Sequence, residues 1–179
     1  SMSLGGPESG PEDPENRIIS ALTKQGMIFV VAAGNSGPDP QTIGTPGDGP
    51  DSLTVGAVDI NGEIAPFSSR GPTKDGRIKP DVVAPGVDIL SSSTGLIATM
   101  QVLDGPPKLA AISGTSMSTP SVSGVVALAL QYARSKGKTL TTDMIKQAMS
   151  QYGDYREKNS DYGYGLITYS RLKAYIDSL

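Results

Sequence analysis

The sequence predicts an α/β fold, a mostly parallel sheet with crossover helices. Residues 27–33, Met-Ile-Phe-Val-Val-Ala-Ala, form an unbroken apolar run rich in β-branched side chains. A run this short is a strand buried on both faces. Ahead of it, Ile18, Ile19 and Leu22 recur at helical spacing. Residues 1–6 read as a short strand running into a Gly-Gly turn. Strand, helix and strand in that order imply parallel pairing.

The first helix is expected to begin at Pro14, with Glu15 near the positive end of its dipole, and to stop at Gly26. Residues 7–15, with Glu8, Glu12, Asp13 and Glu15, read as an acidic solvated loop. The middle of the chain is dense in turns, at Asn35-Ser36-Gly37-Pro38 and Pro46-Gly47-Asp48-Gly49-Pro50. Between the turns lie strand candidates at 53–58, 81–84 and 87–91. Residues 94–111 fit either a loop or a hairpin, with Asp104-Gly105-Pro106-Pro107 at the tip. Residues 117–133 read as a helix apolar nearly all round, hence buried, with Pro120 in its first turn, where a missing N–H costs nothing. Further helices are expected at 142–151 and 170–179.

At 179 residues the chain amounts to about one domain. Net charge is −3 and no Lys/Arg cluster appears, which argues against nucleic acid as a partner. No apolar stretch approaches the ~18 residues that span a bilayer, and no signal-peptide pattern opens the chain, so no membrane partner is expected. With no Cys, thiol catalysis and disulfides are excluded. With no His, a mechanism that needs imidazole cannot be completed by this chain alone.

Two segments carry chemistry. Gly114-Thr115-Ser116-Met117-Ser118-Thr119-Pro120 places a serine at the start of a buried helix. Free N–H groups and the helix dipole there favour the negative charge that builds up when a hydroxyl attacks a carbonyl. A serine in that place is also an ordinary helix cap. Ala32-Ala33-Gly34-Asn35-Ser36-Gly37 follows the buried strand, and the carboxyl ends of parallel strands line active crevices. Asn35 there either donates to an oxyanion or makes the turn.

Together these segments resemble the subtilisin-like serine peptidases. Ser3-Leu4-Gly5-Gly6-Pro7, Thr54-Val55-Gly56-Ala57, Phe67-Ser68-Ser69-Arg70-Gly71-Pro72, Lys79-Pro80-Asp81-Val82-Val83-Ala84-Pro85-Gly86 and Gly163-Tyr164-Gly165-Leu166-Ile167 extend the resemblance, in order, over nearly the whole chain. The resemblance implies the C-terminal half of a three-layer, mostly parallel sheet domain, filling residues 1–179. It implies that Ser116 is the nucleophile, and that its N–H and the Asn35 side chain hold the oxyanion. Ser3, Leu4 and Gly5 would pair with an extended peptide or protein substrate. Ala33, Gly34 and Gly44 would line the pocket for the side chain before the cut bond, with Thr115 beside them. Small residues there suggest a pocket for large apolar groups.

In that family Asp and His precede Ser along the chain. Both are expected on an N-terminal half upstream of this sequence, without which the chain is not expected to fold stably. Ser121 stands where the family usually has a second, non-catalytic His. No cofactor is needed for the chemistry. Structural calcium, known in some family members, would draw on Asp48, Asp51 or Asp81, although scattered loop acids are usually only solvated. Tyr152, Tyr155, Tyr162, Tyr164 and Tyr169 are expected to pack the last helices. A secreted or extracellular location is expected, with the cytoplasm as alternative. The rival to a serine endopeptidase is a peptide-binding module without catalysis.

Overall fold

A computed structural model describes residues 1–93, 101–103 and 109–179. The central sheet is built from β1 (Val30–Ala32), β2 (Leu53–Val58) and β3 (Val82–Pro85), parallel and in that order. Single bridges extend it at both edges, Met2 alongside Val31 and Leu166 alongside Val83, again parallel. The expected strand at 1–6 is therefore one bridge wide. Met2 N–H donates to Val30 O at 2.8 Å, while Ser3 to Gly5 are not paired into the sheet.

Helix α1 (Pro14–Thr23) forms the crossover between the Met2 bridge and β1. Asp13 caps it by accepting from Glu15 N–H at 2.9 Å. Of its expected apolar face only Ile19 is buried, whereas Ile18 is 60% exposed. Asn16 takes the other buried place. The crossover-helix pattern stops there: loops 33–52 and 59–81 join β1 to β2 and β2 to β3.

One layer of helices covers the sheet. It comprises α2 (Thr115–Ser135), α3 (Thr142–Tyr152) and α4 (Tyr169–Ser178). Val122, Val126, Ala129 and Ala133 of α2 meet Val30, Leu53, Val55 and Val82 of the sheet in one core with Ile145, Met149, Leu172 and Ile176. Full burial of each large side chain contributes about 1.5–3 kcal/mol. The expectation that α2 is buried all round needs correction. Only the stripe at positions 115, 118, 119, 122, 126, 129 and 133 is closed, while Leu128 is 53% exposed. A sheet on one side of a helix covers one stripe of it.

The second sheet is small and antiparallel, with β4 (Ile89–Ser92) and β5 (Gln101–Leu103) on either side of β6 (Leu109–Ile112). Pairing of Leu103 with Leu109 favours the hairpin alternative, although the turn at Asp104 to Pro107 lies outside the described residues, as do 94–100. Tyr155 meets Tyr162 at a tilt of 43° with ring centroids 5.9 Å apart, and Tyr169 meets Tyr132 of α2 edge-on at 6.3 Å. Among the described residues no helix is long and apolar enough to cross a membrane.

Candidate active site

The carboxyl end of β1 and the first turn of α2 meet at one cavity of about 700 Å³. Gly86, just past β3, accepts from Gly114 N–H at 2.7 Å, tying the start of α2 to the end of the sheet. Ser116 is thereby the second residue of a 21-residue helix, where N–H groups have no partner one turn back. Neither its N–H nor its Oγ has a hydrogen-bond partner among the described residues, so both are free for a ligand.

Asn35 stands across from it. Its Oδ1 accepts from Thr115 N–H and from Thr115 Oγ1, both at 2.9 Å. Two donors on one oxygen fix the amide plane and leave Nδ2 as the free end. Thr115 Oγ1 also accepts from Gly34 N–H at 3.3 Å. The segment after β1 and the segment opening α2, 80 residues apart, are locked together by one threonine. Gly34 has φ +110°, and a Cβ there would sit 2.7 Å from Ser69 Oγ, so only glycine fits this turn.

Most residues expected from the sequence come together here. Leu4, Gly5, Ala33, Gly34, Asn35, Gly44, Thr115 and Ser116 all line the cavity. Ser3 is the exception, but its Oγ donates to Ser116 O at 3.0 Å, so it still touches the same turn. Leu4 is 53% exposed at the rim, an apolar side chain left open to solvent beside unpaired backbone. Gly6 and Thr45 exchange two backbone hydrogen bonds of 2.9 and 3.1 Å, which close one side of the cavity. A Cβ on Gly44 would come within 2.5 Å of Gly6 O, so this closure requires glycine.

Sequence reasoning gave no sign of five lining residues, Glu8, Gln41, Thr42, Ile43 and Lys74. Glu8 belongs to the loop read as solvated, yet it is half-buried and takes Lys74 N–H on Oε1 at 2.5 Å. No local pattern announces a contact across 66 residues.

Of the acids considered for calcium, Asp48 and Asp81 are engaged by protein donors. Asp48 is fully buried and accepts from Ser9 N–H, Gly10 N–H, Thr45 Oγ1 and Asn16 Nδ2. Asp81, also fully buried, meets Lys79 and Lys158 at 2.7 Å each and Lys146 at 3.8 Å. Among the described residues no three acids are grouped as metal ligands. Burial alone pushes the Asp81 carboxyl up, but the three ammonium groups outweigh it and hold it below the ordinary carboxylate range. Lys79 is pushed down to about 7, chiefly by burial.

The chain has matches among known proteins. The model of the subtilase family matches residues 1–165. Serine protease AprX of Bacillus subtilis is 40% identical over 93% of this chain and 40% of its own length. Pyrolysin of Pyrococcus furiosus is 36% identical over 96% of this chain and 14% of its own. Among solved structures, a protease domain of PatA superposes with a TM-score of 0.77 at 27% identity, over 99% of this chain and 58% of that one. The prenylagaramide maturation protease PagA gives 0.75 at 25%, over 98% and 60%. The chain thus spans two fifths of AprX and about three fifths of these two protease structures.

Proposed function

The chain belongs to the subtilase family, and on that premise we propose that it carries the nucleophile and oxyanion hole of a serine endopeptidase. Ser116 Oγ attacks the peptide carbonyl, forming an ester as the C–N bond breaks and the amine leaves; water then hydrolyses the ester. A base must take the Oγ proton and return it to the amine. This sequence contains no His. We assign that base, and the Asp that orients it, to a segment outside this sequence, an N-terminal half of the same peptidase. The backbone at Ser3 to Gly5 is the edge on which a peptide would lie.

The observation that carries this proposal is the pair of free donors. Ser116 N–H and Asn35 Nδ2 border one cavity, and Asn35 is held by its other amide atom. Such donors gain strength as the carbonyl oxygen becomes an oxyanion. They also favour a peptidase over a module that only binds peptides, because uncharged peptide needs no oxyanion hole.

A fluorophosphonate probe applied to the assembled peptidase is expected to label Ser116, forming an O–P bond as fluoride leaves. Peptide mapping by mass spectrometry locates the label. Folded protein that stays unlabelled would overturn the proposal. Asn35→Leu is expected to lower kcat by about 10²–10³, a magnitude measured on the corresponding Asn of subtilisin, with little change in KM. A main effect on KM would mean that Asn35 positions substrate instead.

A further inference from the structure

We infer that the cavity beside Ser116 selects a cationic side chain, lysine or arginine, in the substrate, and that Glu8 is the selecting residue. The inference rests on the peptidase proposal and gives its site a substrate class. Four observations combine.

Glu8 lines the cavity although it lies far from the catalytic motifs in sequence. One carboxylate oxygen of Glu8 is anchored, since Oε1 accepts from Lys74 N–H at 2.5 Å. Its backbone is held from both sides. Gly6 pairs with Thr45 on one side, and on the other Ser9 N–H and Gly10 N–H donate to the buried Asp48 carboxylate at 3.2 and 2.7 Å. Finally, Oε2 is shielded from solvent and has no hydrogen-bond partner. Among the described residues, it is the one such atom that belongs to a residue lining this cavity.

A carboxylate oxygen that has lost water without gaining a donor is costly, and a charged donor offsets that cost best. Lys74 does not serve. Its Nζ donates to Glu8 O at 3.2 Å and forms no ion pair with the carboxylate, and the residue is exposed, so its charge is largely screened by water. The unmet demand on this wall is for a cation supplied by the ligand. An ammonium or guanidinium entering the cavity would turn Oε2 outward and complete it. The small residues Ala33, Gly34 and Gly44 leave room for the aliphatic stem of such a side chain, whose apolar length suits them.

The test compares kcat/KM of the assembled peptidase on peptides that differ only in the residue before the cut bond: Arg, Lys, Leu, Phe or Glu. Arg and Lys are expected to exceed Leu and Phe by about tenfold or more, as expected for a site with an unpaired polar group. In Glu8→Gln, which keeps the acceptor for Lys74 N–H, the Arg-to-Leu ratio is expected to fall by about tenfold. Because each ratio is taken within one preparation, partial unfolding of a variant does not distort it. A preference for Leu, Phe or Glu, or an unchanged ratio in Glu8→Gln, overturns the inference. Fluorophosphonate labelling of the same samples separates the two failures. Labelled enzyme without the cationic preference removes this inference alone, whereas absent labelling removes the peptidase proposal and this one with it.

Discussion

Ser116→Ala is expected to end peptide hydrolysis by the assembled peptidase while leaving peptide binding in place. The Ser116 hydroxyl is the proposed nucleophile, on the same residue as one of the two free oxyanion donors. The donors Ser116 N–H and Asn35 Nδ2 do not depend on it, since one is backbone and the other is set by Thr115. The edge at Ser3 to Gly5 is likewise untouched, apart from Ser3 Oγ, whose acceptor is the Ser116 carbonyl and survives the change. The loss in kcat should be on the order of 10⁶, a figure measured on the corresponding serine of subtilisin itself. Affinity for an uncleaved peptide should stay within about twofold, since the binding surface is kept. Mass spectrometry of the digest and calorimetry with the same peptide check the two halves. Hydrolysis persisting in Ser116→Ala would move the chemistry to another residue. A wild-type protein that binds the peptide and never cuts it would establish the binding-module alternative.

Asp81→Asn should cost more stability than any surface change, about 3–5 kcal/mol, because it leaves buried ammonium charge without its counter-charge. Asp81 and Lys79 are nearly inaccessible, with side-chain exposures of 0% and 3%. Lys146 from α3 and Lys158 from the loop before α4 converge on the same carboxylate, and Thr54 N–H of β2 donates to it at 2.8 Å. The network therefore joins the sheet to the helical layer through charge. Denaturant midpoints of the wild type and the variant measure the difference; equal midpoints would show that the network contributes nothing.

The same cluster sets a pH dependence. Asp81 is held below its ordinary 3.8, so its contribution is complete above about pH 4 and is lost as pH falls further. Lys79 is lowered from 10.5 to about 7, so the cost of keeping it charged in the fold is full below pH 7. That cost eases as pH rises from 7 towards 10.5, where the folded state binds fewer protons than the unfolded chain. Wild-type stability should therefore gain from this group over that window, and Lys79→Met should flatten the gain. A pH titration of the denaturation midpoint reads both effects.

What could be read ahead of the structure follows from how far each signal reaches along the chain. The strand at 53–58 and the helices near 117, 142 and 170 are local patterns of apolar residues, and the structure places them within a residue or two. The site motifs were legible for a different reason, since Asn35 and Thr115-Ser116 lie at element ends where backbone groups are free. The surroundings of the acids were not legible. Composition shows that Asp48 and Asp81 carry charge, but not that Asn16, 32 residues away, or Lys158, 77 residues away, will reach them. Glu8 was set aside with its acidic neighbours for the same cause.

The sequence by itself determined most of the element types, the family, and the placing of a serine at a helix start and an asparagine after a strand, because those properties are written in short windows. Only the tertiary structure decided which charges are buried and which residues share the cavity wall. Burial depends on what the folded chain brings alongside, and no window of sequence contains the residue that comes from the other side.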